Sequence, residues 1–274
     1  MKKNKKIFVT LVILSFLALL AWKVFVPSPD GKIDANAGKE SKVAIRKGEK
    51  LNYDLLWNGA TAGKCSMQVV GKIDFEGQRA WKLQFEFHTE GLADTVINTH
   101  SKLESLVDEK LTRSLYHRDD RKGRKVRVKE LKFDWKDNSV RRLKNGEARQ
   151  RTTLTGPAFD PLALLYSFRA QPLKAGEKRL VRVTDGKKCH ECAVTVADAK
   201  LNINEESYGT FLVEVDLKDL DTALTKGGEG KILIWFSKDA SQRLLKVESQ
   251  LYGTLSLILV GSEKVGEART KQDK

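Results

Sequence analysis

The sequence predicts a mostly β protein: an antiparallel barrel-like or strongly curved sheet with one short helix, preceded by an N-terminal membrane-anchor helix. Two observations carry the β assignment. Apolar and polar residues alternate with a period of two through much of the chain, and glycine-containing turns separate these runs about every 10 to 15 residues. With 41% hydrophobic residues among 274, the chain can bury a substantial core, which excludes wholesale disorder.

The first 26 residues predict a signal-anchor helix or a signal peptide. Four lysines within the first six residues precede an apolar run from Ile7 to Trp22, and Lys23 is followed by three more apolar residues. The length of this run lies between a signal-peptide core and the span of about 20 residues that crosses a bilayer. Because the lysines stay in the cytoplasm, we expect the rest of the chain on the periplasmic side of the inner membrane. It is either anchored there through residues 7–26 or released into the periplasm by cleavage.

Three further segments follow. Residues 27–47 are polar and without periodicity, which predicts a linker. Residues 48–262 carry the strand pattern and form the predicted β-rich globular domain, and residues 263–274 form a polar C-terminal tail. The alternation is typical of antiparallel strands with one face on the core. It is clearest at Trp81, Leu83, Phe85 and Phe87 and at Phe211, Val213, Val215 and Leu217.

One segment, residues 160–169, predicts a helix. Asp160 is a favourable N-cap, and Pro161 suits the first helical position, where its missing N–H costs nothing. Pro172 disfavours helix at the residue before it and so ends the segment. Because apolar residues lie nearly all around, we expect a buried helix that covers the sheet, with a structural role for Asp160 and Pro161.

Cys189 and Cys192 form a single CxxC pair. A zinc ribbon needs a second pair, and haem attachment needs histidine where Ala193 stands. If this segment is a strand, the two Cα atoms lie roughly 10 Å apart, beyond the limit of about 7 Å for a disulfide. A disulfide that involves Cys65, a metal or redox role for the pair, and unpaired strand thiols are the alternatives.

Positive charge is concentrated in one segment. Residues 113–151 contain fifteen Lys or Arg against six Asp or Glu, the larger part of the net charge of +14. Alternation places Lys125, Arg127 and Lys129 on one face of a hairpin around Gly123, with Val126 and Val128 opposite. We expect this hairpin to expose a surface for an anionic lipid or glycan, or else to be a solvated strand face that protects the sheet edge. The candidate binding residues are Arg118, Arg121, Lys122, Arg124, Lys125, Arg127 and Lys129.

No catalytic signature is present. The chain has no GxSxG elbow, no HExxH and no P-loop, and its four histidines, at positions 88, 100, 117 and 190, are scattered. Three of these histidines fall in polar phases of predicted strands, where exposure is the expectation. We therefore predict no catalytic residue, metal or cofactor, and a non-enzymatic protein is the favoured interpretation.

A set of short motifs occurs along the chain in a defined order: Leu51-x-Tyr53, Trp57-x-Gly59, Ala62-Gly63, Gly91-Leu92-Ala93, Glu104-Ser105-Leu106-Val107-Asp108, Asp160-Pro161-Leu162-Ala163-Leu164, Asp185-Gly186-Lys187, Gly209-Thr210-Phe211, Trp235 and Asp239. In order and spacing these motifs resemble the bacterial envelope family catalogued as domain of unknown function 3108, over roughly residues 48 to 261. The resemblance implies an export signal and a β-rich body, and it carries no assigned activity.

Three functional hypotheses follow from location, architecture and charge. The first is a non-enzymatic envelope module that binds or scaffolds a lipid, a glycan or another envelope partner. The second is a hydrolase of an envelope polymer, with carboxylates that only the fold brings together. The third is a purely structural partner of another protein. Nucleic acid is not an expected partner outside the cytoplasm.

Overall fold

A computed structural model describes residues 45–96, 98–124, 126–216, 231–249 and 255–264. The predicted anchor over residues 7–26 lies outside this part of the chain, as do most of the predicted linker and residues 265–274 of the predicted tail. Among the described residues, neither helix has the length and hydropathy that a bilayer crossing requires.

The described residues form a mostly β fold, as predicted. The strands are antiparallel throughout and belong to one fourteen-stranded sheet. Their bounds are β1 (Glu49–Trp57), β2 (Ala60–Phe75), β3 (Gln78–Thr89), β4 (Thr99–Asp108), β5 (Ser114–Gly123), β6 (Arg127–Asp134), β7 (Ser139–Lys144), β8 (Glu147–Thr153), β9 (Lys178–Thr184), β10 (Cys189–Ile203), β11 (Glu206–Asp216), β12 (Lys231–Ser237), β13 (Leu244–Ser249) and β14 (Leu255–Lys264).

The strand order is a double meander. Each strand pairs with its neighbours in sequence from β1 to β8 and from β9 to β14, and β1 pairs with β14 to join the two halves. The sheet is therefore open, with β8 and β9 as its edges in the described chain. Register shifts between Val69 and Gly71 and between Leu106 and Val107 mark bulges, which bend strands and increase their twist.

A connecting segment, residues 158–160, bridges the two halves of the sheet. The backbone N–H of Phe159 donates to the carbonyl of Arg182 at 2.9 Å, and Thr184 N–H donates back to Phe159 at 2.9 Å. On the other side, Ser114 N–H donates to the carbonyl of Ala158 at 3.0 Å. One extended segment thus ties β9 to the start of β5.

The main core lies between the concave face of the sheet and the helix α2 (Pro161–Ser167). It joins residues of β1 to β4 with residues of β10 to β14, so the sheet must curl around the helix. Its most deeply buried large side chains include Tyr53, Leu83, Tyr166, Phe168 and Phe236, all at 1% exposure or less. Burial of such side chains stabilises the fold by about 1.5–3 kcal/mol each.

The prediction of one short helix is wrong, because a second helix, α1 (Gly91–Val96), joins β3 to β4. It spans six residues and buries none of them, so it has no apolar stripe from which periodicity could predict it. The predicted helix at 160–169 is present as α2 but ends at Ser167. Phe168 is its C-cap, and the N–H of Arg169 closes a final turn on Tyr166.

The turn between β9 and β10 packs against β6 and β7 through Gly186. This residue has φ +83°, and a Cβ atom here would collide with the Leu131 side chain and lie 2.9 Å from the Cβ of Arg142. We expect Gly186→Ala to lower the free energy of unfolding by about 2–4 kcal/mol, through left-handed strain and overpacking together. Gly59→Ala is the matched control, because Gly59 has φ +80° with no atom within 4 Å. Urea unfolding followed by tryptophan fluorescence measures both, and equal losses would contradict the packing account.

Candidate functional site

The basic segment lies on β5 to β8, but its side chains divide between the two faces of these strands. Arg121 and Lys129 are buried, at 7% and 5% exposure, whereas Lys122 and Arg124 are exposed. Arg118 is partly exposed on the outer face, beside Asp120 and Glu130. Lys125 lies outside the described residues. The prediction of a single exposed basic surface is therefore wrong.

The error concerns which face of β6 points inward. Arg127 and Lys129 do share a face, as predicted, but the same phase continues into Leu131 and Phe133, which are buried. Val126, predicted to lie on the opposite, apolar side, is 74% exposed. Alternation defines which residues share a face, but not which face is buried. Here the burial of Leu131 and Phe133 places Arg127 and Lys129 on the inner face as well.

The inner face of β4 to β6 consequently holds a charged cluster. Arg127 Nη2 lies 3.0 Å from Oδ2 of Asp119, a carboxylate with no solvent exposure. Burial lowers the pKa of Lys129 although Asp185 and Asp119 oppose this shift, and the positive charges of Arg127 and Arg142 lower it further. Cationic side chains thus crowd a desolvated region, where each costs free energy unless it is paired.

Several buried polar atoms in this cluster have no hydrogen-bond partner among the described residues. They are Nε and Nη2 of Arg121, Nε of Arg127, Oδ1 of Asp119 and Oγ of Ser101. Arg121 on β5 stands directly opposite Ser101 of β4 on one side and Arg127 of β6 on the other. Because the Cβ atoms of opposed residues on adjacent strands lie about 4.5–5.5 Å apart, the side chains of Ser101, Arg121 and Arg127 start side by side on one face of the sheet.

A second buried polar network lies deeper, at Asp160. Its carboxylate accepts hydrogen bonds from the hydroxyls of Ser105 and Ser114, each at 2.7 Å, and from two backbone N–H groups in the first turn of α2. His117 Nδ1 lies 3.1 Å from Asp160 Oδ1. Burial opposes the charge of Asp160, but His117 and the two serine hydroxyls hold the pKa of this carboxyl below its usual range. The N-cap residue predicted from sequence thus also binds β4 and β5.

This network combines serine, histidine and aspartate, but not as a catalytic triad. Ser105 Oγ and Asp160 Oδ1 both lie 3.1 Å from the same nitrogen of His117, Nδ1. In a triad the aspartate and the nucleophile contact opposite ring nitrogens, so that the histidine can take the nucleophile's proton. His117 Nε2 is buried and has no partner among the described residues. The expectation that histidines in polar phases are exposed is wrong for His117, which has 0% exposure.

An open groove of about 700 Å³ lies on the outer face of β6 to β8. Three basic residues cross it in a row, because Lys132 opposes Arg141 and Arg141 opposes Arg151. All three are exposed. Arg151 pairs with Asp137, whereas Lys132 and Arg141 form no ion pair within the described residues. Like charges directly opposite one another destabilise a sheet.

The aromatic residues of this groove support its wall. Trp135 stacks on Phe133 at a centroid separation of 5.8 Å, and the guanidinium of Arg113 lies 5.0 Å from the centre of the Trp135 ring. The indole N–H donates to the carbonyl of Ser114 at 2.8 Å. With these contacts the ring is not a free platform for stacking a base, and Arg113 is held beside the basic row.

The model of the family described as "Protein of unknown function (DUF3108)" matches residues 52–260. The chain belongs to this family. Among curated proteins, none matches it.

Two solved structures resemble this DUF3108 chain in fold. A β-barrel-like protein from Brucella abortus, with a domain of unknown function DUF1849, is 10% identical with a TM-score of 0.48, covering 80% of this chain and 98% of its own. A protein from Bacteroides fragilis with a YmcC-like fold is 7% identical with a TM-score of 0.36, covering 80% and 97%.

The three cysteines of this DUF3108 protein form no disulfide within the described part of the chain. Cys189 and Cys192 both lie in β10, and Cys65 is buried on β2. Burial raises the pKa of the Cys189 thiol to about 11, and burial likewise raises that of Cys65. Among the described residues, no group of three or more His, Cys, Asp or Glu side chains is arranged to hold a metal ion.

The predicted binding residues of the DUF3108 domain do not include the basic row of Lys132, Arg141 and Arg151, although all three belong to the basic segment. A signal was present in Asn145-Gly146, a dipeptide typical of two-residue hairpin turns, and both residues have positive φ here. Counting outward from this turn brings Arg141 near Arg151. The bulge between Arg142 and Leu143 shifts the register by one residue, which no count from the sequence anticipates.

Proposed function

We propose that this domain is a non-enzymatic envelope module that binds an acidic polysaccharide along the outer groove of β6 to β8. The observation that carries the proposal is the row Lys132, Arg141 and Arg151, in which only Arg151 has an acidic partner in the described chain. Adjacent strands lie about 4.8 Å apart, so the row presents repeated positive charge across three neighbouring strands. An extended chain with repeated carboxylates would relieve their repulsion.

The shape and location of the groove favour an extended ligand. The groove is open, and Arg113 and Lys136 add further positive charge to its lining. Glu76 and Asp134 are the acidic residues of the same lining. The predicted export and anchoring through residues 7–26 belong to this proposal, because they would put the groove where acidic glycans occur.

Charge reversal in the row tests the proposal. We expect Lys132→Glu with Arg141→Glu to weaken binding of the full chain to polygalacturonate by more than about tenfold, since each basic contact contributes about 1 kcal/mol. Binding is measured by isothermal titration calorimetry at two salt concentrations, and the wild-type affinity should fall as salt rises. Both side chains are exposed, so the unfolding midpoint should change little.

The control carries the same charge change elsewhere on the sheet. Lys64→Glu with Lys200→Glu alters two exposed lysines on β2 and β10 and should leave the affinity within about twofold. Equal losses in the two double variants would indicate a net-charge effect and contradict the groove. Binding of wild type to anionic vesicles but not to polygalacturonate would replace the glycan with a lipid surface.

A further inference from the structure

In the part of the chain that the structure describes, the charged cluster on the inner face of β4 to β6 contains unpartnered donor atoms that the outer groove does not use. Arg121 is more than nine-tenths buried, yet its Nε and Nη2 atoms have no partner among the described residues. These two N–H groups share one edge of the guanidinium, the edge that binds a carboxylate or phosphate with two parallel hydrogen bonds. Buried charges in folded proteins are ordinarily paired, so an unpaired donor edge at this depth requires a partner.

The groups around that edge have complementary chemistry. Ser101, opposite Arg121 on β4, has a hydroxyl with no solvent exposure and no partner in the described chain. Arg127, opposite Arg121 on β6, has an unpartnered Nε–H while its Nη2 binds Asp119. Within the described residues, four unpartnered donor atoms on three residues of adjacent strands thus belong to one face of the sheet, together with one unpartnered acceptor, Oδ1 of Asp119.

We propose that Ser101, Asp119, Arg121 and Arg127 form an internal site for a small oxyanion that also carries a hydroxyl group. The oxyanion accepts hydrogen bonds from the Arg121 edge, from Arg127 Nε and from the Ser101 hydroxyl. The ligand hydroxyl donates to Oδ1 of Asp119. A hydroxycarboxylate or a monoprotonated phosphate satisfies all of these groups at once, whereas a bare oxyanion such as sulfate or acetate leaves Asp119 without a donor.

The site is independent of the outer groove. Arg127 and Lys129 occupy the inward phase of β6, and Lys132 occupies the outward phase of the same strand. A ligand of the internal site therefore does not contact the basic row. Loss of polysaccharide binding and loss of small-anion binding are separable results.

Ligand-dependent stabilisation tests the proposal on the full chain. We expect phosphate and glycolate to raise the thermal unfolding midpoint of wild type in a saturable way, and sulfate and acetate at the same ionic strength to raise it less. Arg121→Lys keeps the charge but loses the two-nitrogen edge, so the affinity for phosphate should fall by at least about tenfold. The outer-groove variant Lys132→Glu with Arg141→Glu should bind phosphate like wild type.

Arg121→Met distinguishes a ligand site from a structural arginine. Methionine fills similar space without a charge, so the unliganded variant should unfold at the same temperature as wild type or higher, while its response to phosphate is lost. The proposal is overturned if no anion shifts the wild-type midpoint, which would leave only water at the site. It is also overturned if Arg121→Met retains the response. Stabilisation by phosphate alone or by glycolate alone identifies which oxyanion class the site accepts.

Discussion

Replacing Asp160 with alanine is expected to lower the free energy of unfolding by about 3–5 kcal/mol, among the largest single effects in this domain. The loss of the N-cap of α2 costs about 1 kcal/mol. The rest, about 2–4 kcal/mol in total, arises because the Ser105 and Ser114 hydroxyls and His117 then lose their shared buried acceptor. Urea unfolding of the full chain measures the change.

Two variants separate the parts of this effect. Asp160→Asn retains an oxygen that can accept from the α2 backbone and should cost less than alanine, about 1–2 kcal/mol. Asp239→Ala removes a more exposed carboxylate that accepts from Ser241 N–H at 2.8 Å, and should cost about 1 kcal/mol or less. If Asp160→Ala cost no more than Asp239→Ala, the buried network would not contribute to stability.

The charge of Asp160 also gives stability a pH dependence. The folded-state pKa of Asp160 is lowered from its ordinary value of 3.8, so the charged carboxylate stabilises the fold at pH values above that value. This contribution is lost as the pH falls through the lower folded-state pKa. Wild type should therefore lose more stability than Asp160→Asn when urea unfolding is compared at pH 6 and below about pH 4.

Replacing Arg169 with methionine is expected to lower the free energy of unfolding by about 2–4 kcal/mol. Arg169 is 2% exposed, and its guanidinium binds both carboxylate oxygens of Glu49 on β1. Its Nη2 also donates to the carbonyl of Ser241 at 3.0 Å, which ties the end of α2 to the turn between β12 and β13. Methionine keeps most of the apolar contact but leaves the Glu49 carboxylate unpaired.

A double-mutant cycle isolates this ion pair. Arg169→Met leaves the charge of Glu49 unpaired, and Glu49→Gln removes that charge. The double variant should therefore be more stable than the sum of the single changes predicts, by about 1–3 kcal/mol. Additive losses would mean that Arg169 contributes through packing and its bonds to Ser241 alone. Chemical denaturation of the four proteins under one set of conditions provides the comparison.

The position and cap of α2 follow from the sequence, but the partners of the cap do not. Asp160 and Pro161 have local preferences that define a helix start whatever surrounds them. Ser105, Ser114 and His117 are 43 to 55 residues from Asp160 in the chain, and only the pairing of β4 with β5 and the bridge at residues 158–160 bring them to its carboxylate. No local pattern encodes such contacts.

The sequence by itself determined the β class, the antiparallel pairing, the family and the concentration of positive charge, because each depends on local composition and periodicity. It did not determine which face of β5 and β6 is buried. In these strands both phases mix charged with apolar residues, so periodicity cannot choose between them. The tertiary structure decides, because Leu131 and Phe133 pack inward and the turn at Gly186 closes over β6 and β7. As a result, the inner face of the sheet holds Arg121, Arg127 and Lys129, and the outer face holds Lys132, Arg141 and Arg151.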